Sequence, residues 1–145
     1  MVEARKRILC IDDDQETAAL IAEDLVDRGF DVTVAHDGQE GLAAILTTRP
    51  DLVVCDVNMP ILTGPQVAER LALVAPDLNL PFVFLTAMSD RQPGTAAQKR
   101  GFYVTKPIDF DRLSSIIDAR LADLVDFDVS VHAMGAPDRE VEGAA

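Results

Sequence analysis

The sequence predicts an α/β fold: a parallel sheet with helices on both faces. Three observations carry this prediction. Five short apolar runs alternate with amphipathic segments along the chain. The runs are too uniformly apolar to leave one face in water, as expected for strands buried between helical layers. Acid, hydroxyl and amine side chains also gather where the runs end, and in such sheets the C-terminal strand ends are where function collects.

The first strand is RILCI, residues 7–11. A helix over 15–28 follows, with Ala18, Leu20, Ile21 and Leu25 at helical spacing and Gly29 placed to end it. DVTVA (31–35) is the second strand, 38–47 a helix, LVVC (52–55) the third strand and 65–75 another helix. FVFL (82–85) is the fourth strand. SDRQPGTAAQKRG (89–101) carries Pro93-Gly94 near its start, so the fourth helix is expected to be short or irregular. FYVT (102–105) is the fifth strand, and the last helix, 109–124, aligns Leu113, Ile116, Ile117, Leu121 and Leu124 on one stripe. Residues 125–145 lose the periodicity and gain Gly, Pro, Ala and acid, the composition of a disordered tail or the start of a linker. One domain over 5–124 is expected.

The net charge of −12 argues against non-specific binding to nucleic acid or anionic lipid, and favours a cation or a basic partner. Cys10 and Cys55 sit inside apolar runs and read as buried free thiols rather than a disulfide. The start has no signal-peptide pattern and no stretch approaches a membrane span, so a soluble cytoplasmic protein is expected.

The run VVCD ends in Asp56 and breaks at once into Asn58-Met59-Pro60 and Gly64. A carboxylate at the end of a buried strand is costly without partners. The other strand ends supply them. The first ends in Asp12-Asp13-Asp14, the fourth in Thr86, the fifth in Lys106-Pro107. Asp12, Asp13 and Asp56 repel one another unless a hard dication intervenes, and Mg²⁺ takes a few carboxylates while keeping sites for water and phosphate oxygens. Lys106 is a point charge and Thr86 a hydroxyl donor suited to a phosphoryl oxygen or to Asp56 itself. Asp56 is then placed to act as a nucleophile on phosphorus.

In ILCIDDD, in Asp56-x-x-Met59-Pro60-x-x-x-Gly64, in FLTA and in YVTKP, the chain over residues 5 to 124 resembles the receiver domains of two-component response regulators. The resemblance implies a flavodoxin-like sheet of order 2-1-3-4-5. It implies that Asp56 accepts a phosphoryl group from a histidine kinase or a histidine phosphotransfer protein. Asp12, Asp13 and Asp56 with the backbone carbonyl of Asn58 would hold Mg²⁺. Lys106 and Thr86 would contact the phosphoryl group, Thr86 and Tyr103 would form a switch pair, and the bond to Pro107 would be cis. A downstream protein would read the face of the fourth helix, fifth strand and last helix; a homodimer is allowed. No direct contact with nucleic acid or membrane is expected, and no enzymatic turnover beyond its own phosphotransfer and slow autodephosphorylation. Met88, two residues after Thr86, cannot hydrogen-bond an attacking water, in keeping with slow loss. Thr86 and Lys106 stand 20 residues apart, closer than the family's pattern.

Asp14 reads as a helix N-cap, Gly64 as a turn residue with positive φ, His36 as a loop residue before a turn, and His132 as a tail residue without a role. A haloacid-dehalogenase-like hydrolase needs a second Asp two residues after the nucleophile, where this chain has Asn58. A nucleotide or flavin binder needs a glycine-rich phosphate loop after the first strand, where this chain has three aspartates. An unphosphorylated structural or dimerisation module is the alternative that stays open.

Overall fold

The computed structural model describes residues 5–87 and 101–134. Its elements are β1 (Arg7–Ile11), α1 (Gln15–Asp27), β2 (Asp31–Ala35), α2 (Gly38–Thr48), β3 (Leu52–Asp56), α3 (Gly64–Val74), β4 (Phe82–Thr86), β5 (Gly101–Thr105) and α4 (Phe110–Met134). All strand pairs are parallel, in the order β2-β1-β3-β4-β5. The expected irregular helix, apart from Gly101 in β5, lies outside the described residues, as do Met88 and 135–145.

The sheet carries a core on each face because successive side chains of a strand point to opposite sides. On one face Leu9, Ile11, Val53, Cys55, Phe82 and Phe84 pack with Ile45 of α2 and with Val67, Ala68 and Leu71 of α3. On the other, Ile8, Cys10, Val54, Val83, Leu85 and Val104 pack with Ala18, Ile21 and Leu25 of α1 and with Leu113 and Ile117 of α4. The β1–β3 register sets Cys10 beside Val54 and Ile11 beside Cys55, so the two thiols fall on opposite faces. Both are free and buried.

Local chemistry sets the helix ends. Asp14 is the N-cap of α1, accepting from the Glu16 N–H at 3.1 Å and the Thr17 hydroxyl at 2.9 Å. Gly29 follows the C-cap at φ 105, a conformation a glycine adopts without a Cβ clash. Arg28 beside it donates to Asp24 at 2.7 Å and to Asp111 at 2.8 Å, tying the end of α1 to the first turn of α4. In α3 the Thr63 hydroxyl accepts from the Gln66 N–H at 3.2 Å while the Gln66 side chain accepts from the Thr63 N–H at 2.9 Å, a capping box.

Two sequence expectations are corrected. Gly64 does not supply a positive φ; that conformation falls on Ile61, at φ 73. Gly64 is needed for space instead, because a Cβ there would lie 2.6 Å from the Asp56 carbonyl oxygen and 3.1 Å from Phe84 Cδ1. The last helix also runs to Met134, well past 124. No glycine or proline interrupts it before Gly135, so loss of the apolar stripe did not end the helix. Among the described residues no helix is long and apolar enough to cross a membrane.

Among the described residues two non-glycine residues hold a positive φ, Arg49 at 52 and Ile61 at 73, and the β-branched one is Ile61. It is 68% exposed, and the Leu62 N–H donates to the Pro60 carbonyl at 2.8 Å across it, the bond of a γ-turn. A β-branched residue at positive φ costs on the order of 1–3 kcal/mol, and glycine returns part of that through its greater unfolded-state entropy. Ile61→Gly is therefore expected to raise stability by about 1 kcal/mol, read as an increase in the thermal midpoint. A lower midpoint would show that the turn carries no strain. Burial pushes the Cys10 thiol up to about 12 and raises Cys55 well above its ordinary value. Iodoacetamide is thus expected to modify neither thiol in the native protein and both after unfolding in denaturant, counted by intact mass; native labelling would contradict the buried positions.

Candidate functional site

Parallel strands end on the same side of the sheet, which is how residues far apart in sequence meet here. Asp12 follows β1 and Asp56 closes β3, the strand next to it. Thr86 closes β4, and Lys106 follows β5. The Asp12 N–H donates to the Ala35 carbonyl at 3.1 Å and the Lys106 N–H to the Thr86 carbonyl at 2.9 Å, so both residues continue the ladder and their positions are fixed by it.

Carboxylate oxygens of Asp12, Asp13 and Asp56 lie within 4.8 Å of one another. Asp12 and Asp56 are buried and Asp13 is exposed. Lys106 Nζ sits 3.3 Å from Asp56 Oδ1 and 3.9 Å from Asp12 Oδ2. Asp12 Oδ1 accepts from the Asp14 N–H at 2.9 Å, which links the cluster to the cap of α1. Asp12 Oδ2 is buried and accepts no hydrogen bond among the described residues.

The electrostatics follow from that packing. Burial pushes the Asp12 carboxyl up to about 6; the Asp14 N–H opposes the shift, and the charge of Asp56 adds to it. Burial also raises Asp56, against the pull of Lys106 and of the Asn58 backbone N–H. Lys106 does not offset the two buried acids. An oxygen-only donor set with one orphaned buried oxygen and excess negative charge fits a hard dication.

Thr86 is buried, and its hydroxyl donates to the Ala87 carbonyl at 2.8 Å. Tyr103, on the neighbouring strand and opposite Phe84, is half-buried. Its ring stacks on Phe84 with centroids 5.2 Å apart, and Phe84 stacks on Phe82 at 5.4 Å. Burial raises the Tyr103 phenol, and its oxygen finds no hydrogen-bond partner among the described residues. The Lys106–Pro107 peptide is cis. Asn58 follows Asp56 in the loop to α3, and Met59 is buried in the core below. His36 lies between β2 and the Asp37 cap of α2, its N–H donating to Glu40.

The sequence did not reveal the seats beneath the site. A Cβ on Gly38 would lie 2.5 Å from Leu62 Cβ, and one on Gly41 would lie 2.4 Å from Ile11 Cδ1. Two glycines three apart at a helix start were the only available sign.

Comparison with known proteins converges on one family. The model of the response regulator receiver domain matches residues 8–118. The transcriptional regulatory protein PrrA of Mycobacterium leprae is 37% identical over 117 residues, 79% of this chain and 49% of PrrA. The DNA-binding response regulator MtrA of Mycolicibacterium smegmatis is 36% identical over 119 residues, 81% of this chain and 51% of MtrA. The chain spans about half the length of these curated relatives. Among solved structures, the response regulator TrrA from Thermotoga maritima, in complex with Mg²⁺–BeF, superposes with a TM-score of 0.71 at 29% identity, covering 80% of this chain and 98% of that one. A CheY-like receiver domain protein from Methanospirillum hungatei gives a TM-score of 0.74 at 24% identity over 83% of this chain and 96% of that one, a likeness of fold.

Lys106 is one-third exposed, so its pairing with Asp56 is weaker than a fully buried ion pair. Lys106→Met is expected to cost about 1–2 kcal/mol in denaturant unfolding, and most of that cost should vanish in an Asp56→Asn background. Strictly additive losses would mean that the two groups do not interact.

Proposed function

The chain belongs to the response regulator receiver domain family, and on that premise we propose that it is a phosphorylation-dependent signalling switch with Asp56 as the acceptor. The observation that carries this reading is the meeting of Asp12, Asp13 and Asp56 with Lys106 at one end of the sheet. An Asp56 oxygen attacks phosphorus in a phosphohistidine on a histidine kinase or phosphotransfer protein. The O–P bond forms as the P–N bond breaks, and the donor imidazole leaves with the electron pair. Lys106 lies where its ammonium can contact a phosphoryl oxygen attached to Asp56.

Asp12, Asp13 and Asp56, with the Asn58 backbone carbonyl, are the residues that would hold Mg²⁺, which when bound neutralises charge on the transferring group. The Mg²⁺–BeF complex of TrrA supports that choice of cation. Thr86 has a hydroxyl free to exchange its Ala87 partner for a phosphoryl oxygen, and Tyr103 on the next strand completes the switch pair. A downstream protein reads the face formed by the fourth helix expected from the sequence, β5 and α4. The chain's net charge of −12 disfavours non-specific contact with nucleic acid or anionic lipid, and the protein works in the cytoplasm through protein contacts. It turns over no substrate beyond its own phosphoryl group, which it releases slowly.

Incubation with acetyl phosphate and Mg²⁺, followed by intact mass measurement, tests the acceptor. One added phosphate is expected in the parent and none in Asp56→Asn or in an EDTA control. Equal phosphate on Asp56→Asn would move the acceptor elsewhere, and an unmodified parent would overturn the reading.

A further inference from the structure

We infer that Gly64 is a positioning residue for phosphoryl transfer, its missing side chain setting where Asp56 stands. This inference rests on Asp56 being the acceptor. Val57, the residue after Asp56, is held from two sides: its N–H donates to the Leu85 carbonyl of β4 at 2.9 Å, and its carbonyl accepts from the Gly64 N–H at 2.9 Å. Between these bonds the first residue of α3 lies directly on the Asp56 carbonyl, 2.6 Å from where a Cβ would be. The obstacle is backbone in a strand paired on both sides, so it cannot swing away as a side-chain tip would. The Phe84 ring blocks the other direction at 3.1 Å. The Thr63–Gln66 capping box fixes the start of α3, so the helix cannot slide without breaking two hydrogen bonds.

A methyl group at position 64 therefore moves Asp56, α3 or both by a large fraction of an ångström. The donor set around Asp56 spans only 4.8 Å, and Lys106 Nζ stands 3.3 Å from its carboxylate. Misplacement by about 1 Å in such a site costs up to about 100-fold in rate. The contact leaves the exposed approach to the site untouched, so donor saturation does not change.

The test is the rate of Asp56 phosphorylation by acetyl phosphate at saturating Mg²⁺, with Val67→Ala as a control that weakens the same helix one turn on. Gly64→Ala is expected to lower the maximal rate about 10- to 100-fold at an unchanged half-saturating donor concentration, while Val67→Ala stays near the parent. A folded Gly64→Ala as fast as the parent overturns the inference, as does equal slowing in Val67→Ala. If Gly64→Ala does not fold, Thr63→Ala loosens the same helix start without adding an atom; it is expected to slow transfer several-fold, and an unchanged rate overturns the inference. An unmodified parent would instead bring down the acceptor assignment, and this inference with it.

Discussion

Three carboxylates share the end of this sheet, and one lysine faces them. At 4.8 Å and an effective dielectric near 20, a pair of like charges repels by roughly 3 kcal/mol. The attraction of Lys106 to Asp56 is of the same order, reduced because Lys106 is one-third exposed. One cation therefore leaves the cluster negative, and the charge of Asp56 adds to the burial that raises the Asp12 carboxyl. The arrangement lowers stability in isolation and makes sense as a place kept ready for a cation and a phosphoryl group. Proteins tolerate such local costs where function requires them.

The rest of the molecule holds the charges in place. Two apolar cores, one on each face, exclude water from the strands and make their ends rigid. Backbone bonds continue the ladder one residue beyond the strands, to Asp12, Val57 and Lys106. The cap of α1 reaches into the cluster, since the Asp14 N–H donates to Asp12 while the Asp14 side chain caps the helix. Glycines at 38, 41 and 64 let α2 and α3 settle on Leu62, Ile11 and the Asp56 carbonyl. Each contact is modest, yet all bear on the same few ångströms of backbone.

Backbone strain and buried groups without a hydrogen bond also occur at this end. Ile61 holds a positive φ in the loop leaving Asp56, Asp12 Oδ2 is buried without a hydrogen bond, and the Tyr103 hydroxyl likewise has none among the described residues. In a chain whose two cores are otherwise apolar and closed, such departures mark where a second arrangement is accessible. The Thr86 hydroxyl, bonded to its own neighbour, and the Tyr103 ring, stacked on Phe84, are the groups with an alternative to adopt.

The alternation of strands and helices, the parallel sheet, the N-cap at Asp14 and the gathering of Asp12, Asp13, Asp56, Thr86 and Lys106 at one end can be read from the order of residues. These were legible because strand burial leaves continuous apolar runs and because a parallel topology puts every strand end on one side. Tertiary structure decided what depends on residues distant in sequence. The opposite faces of Cys10 and Cys55 follow from strand register, and the role of Gly64 from where α3 lands on β3. The positive φ at Ile61, in place of the glycine three residues on, arises from closing that loop between a pinned strand end and a capped helix. Local residue preference cannot report these features, because each is a distance between segments rather than a property of one.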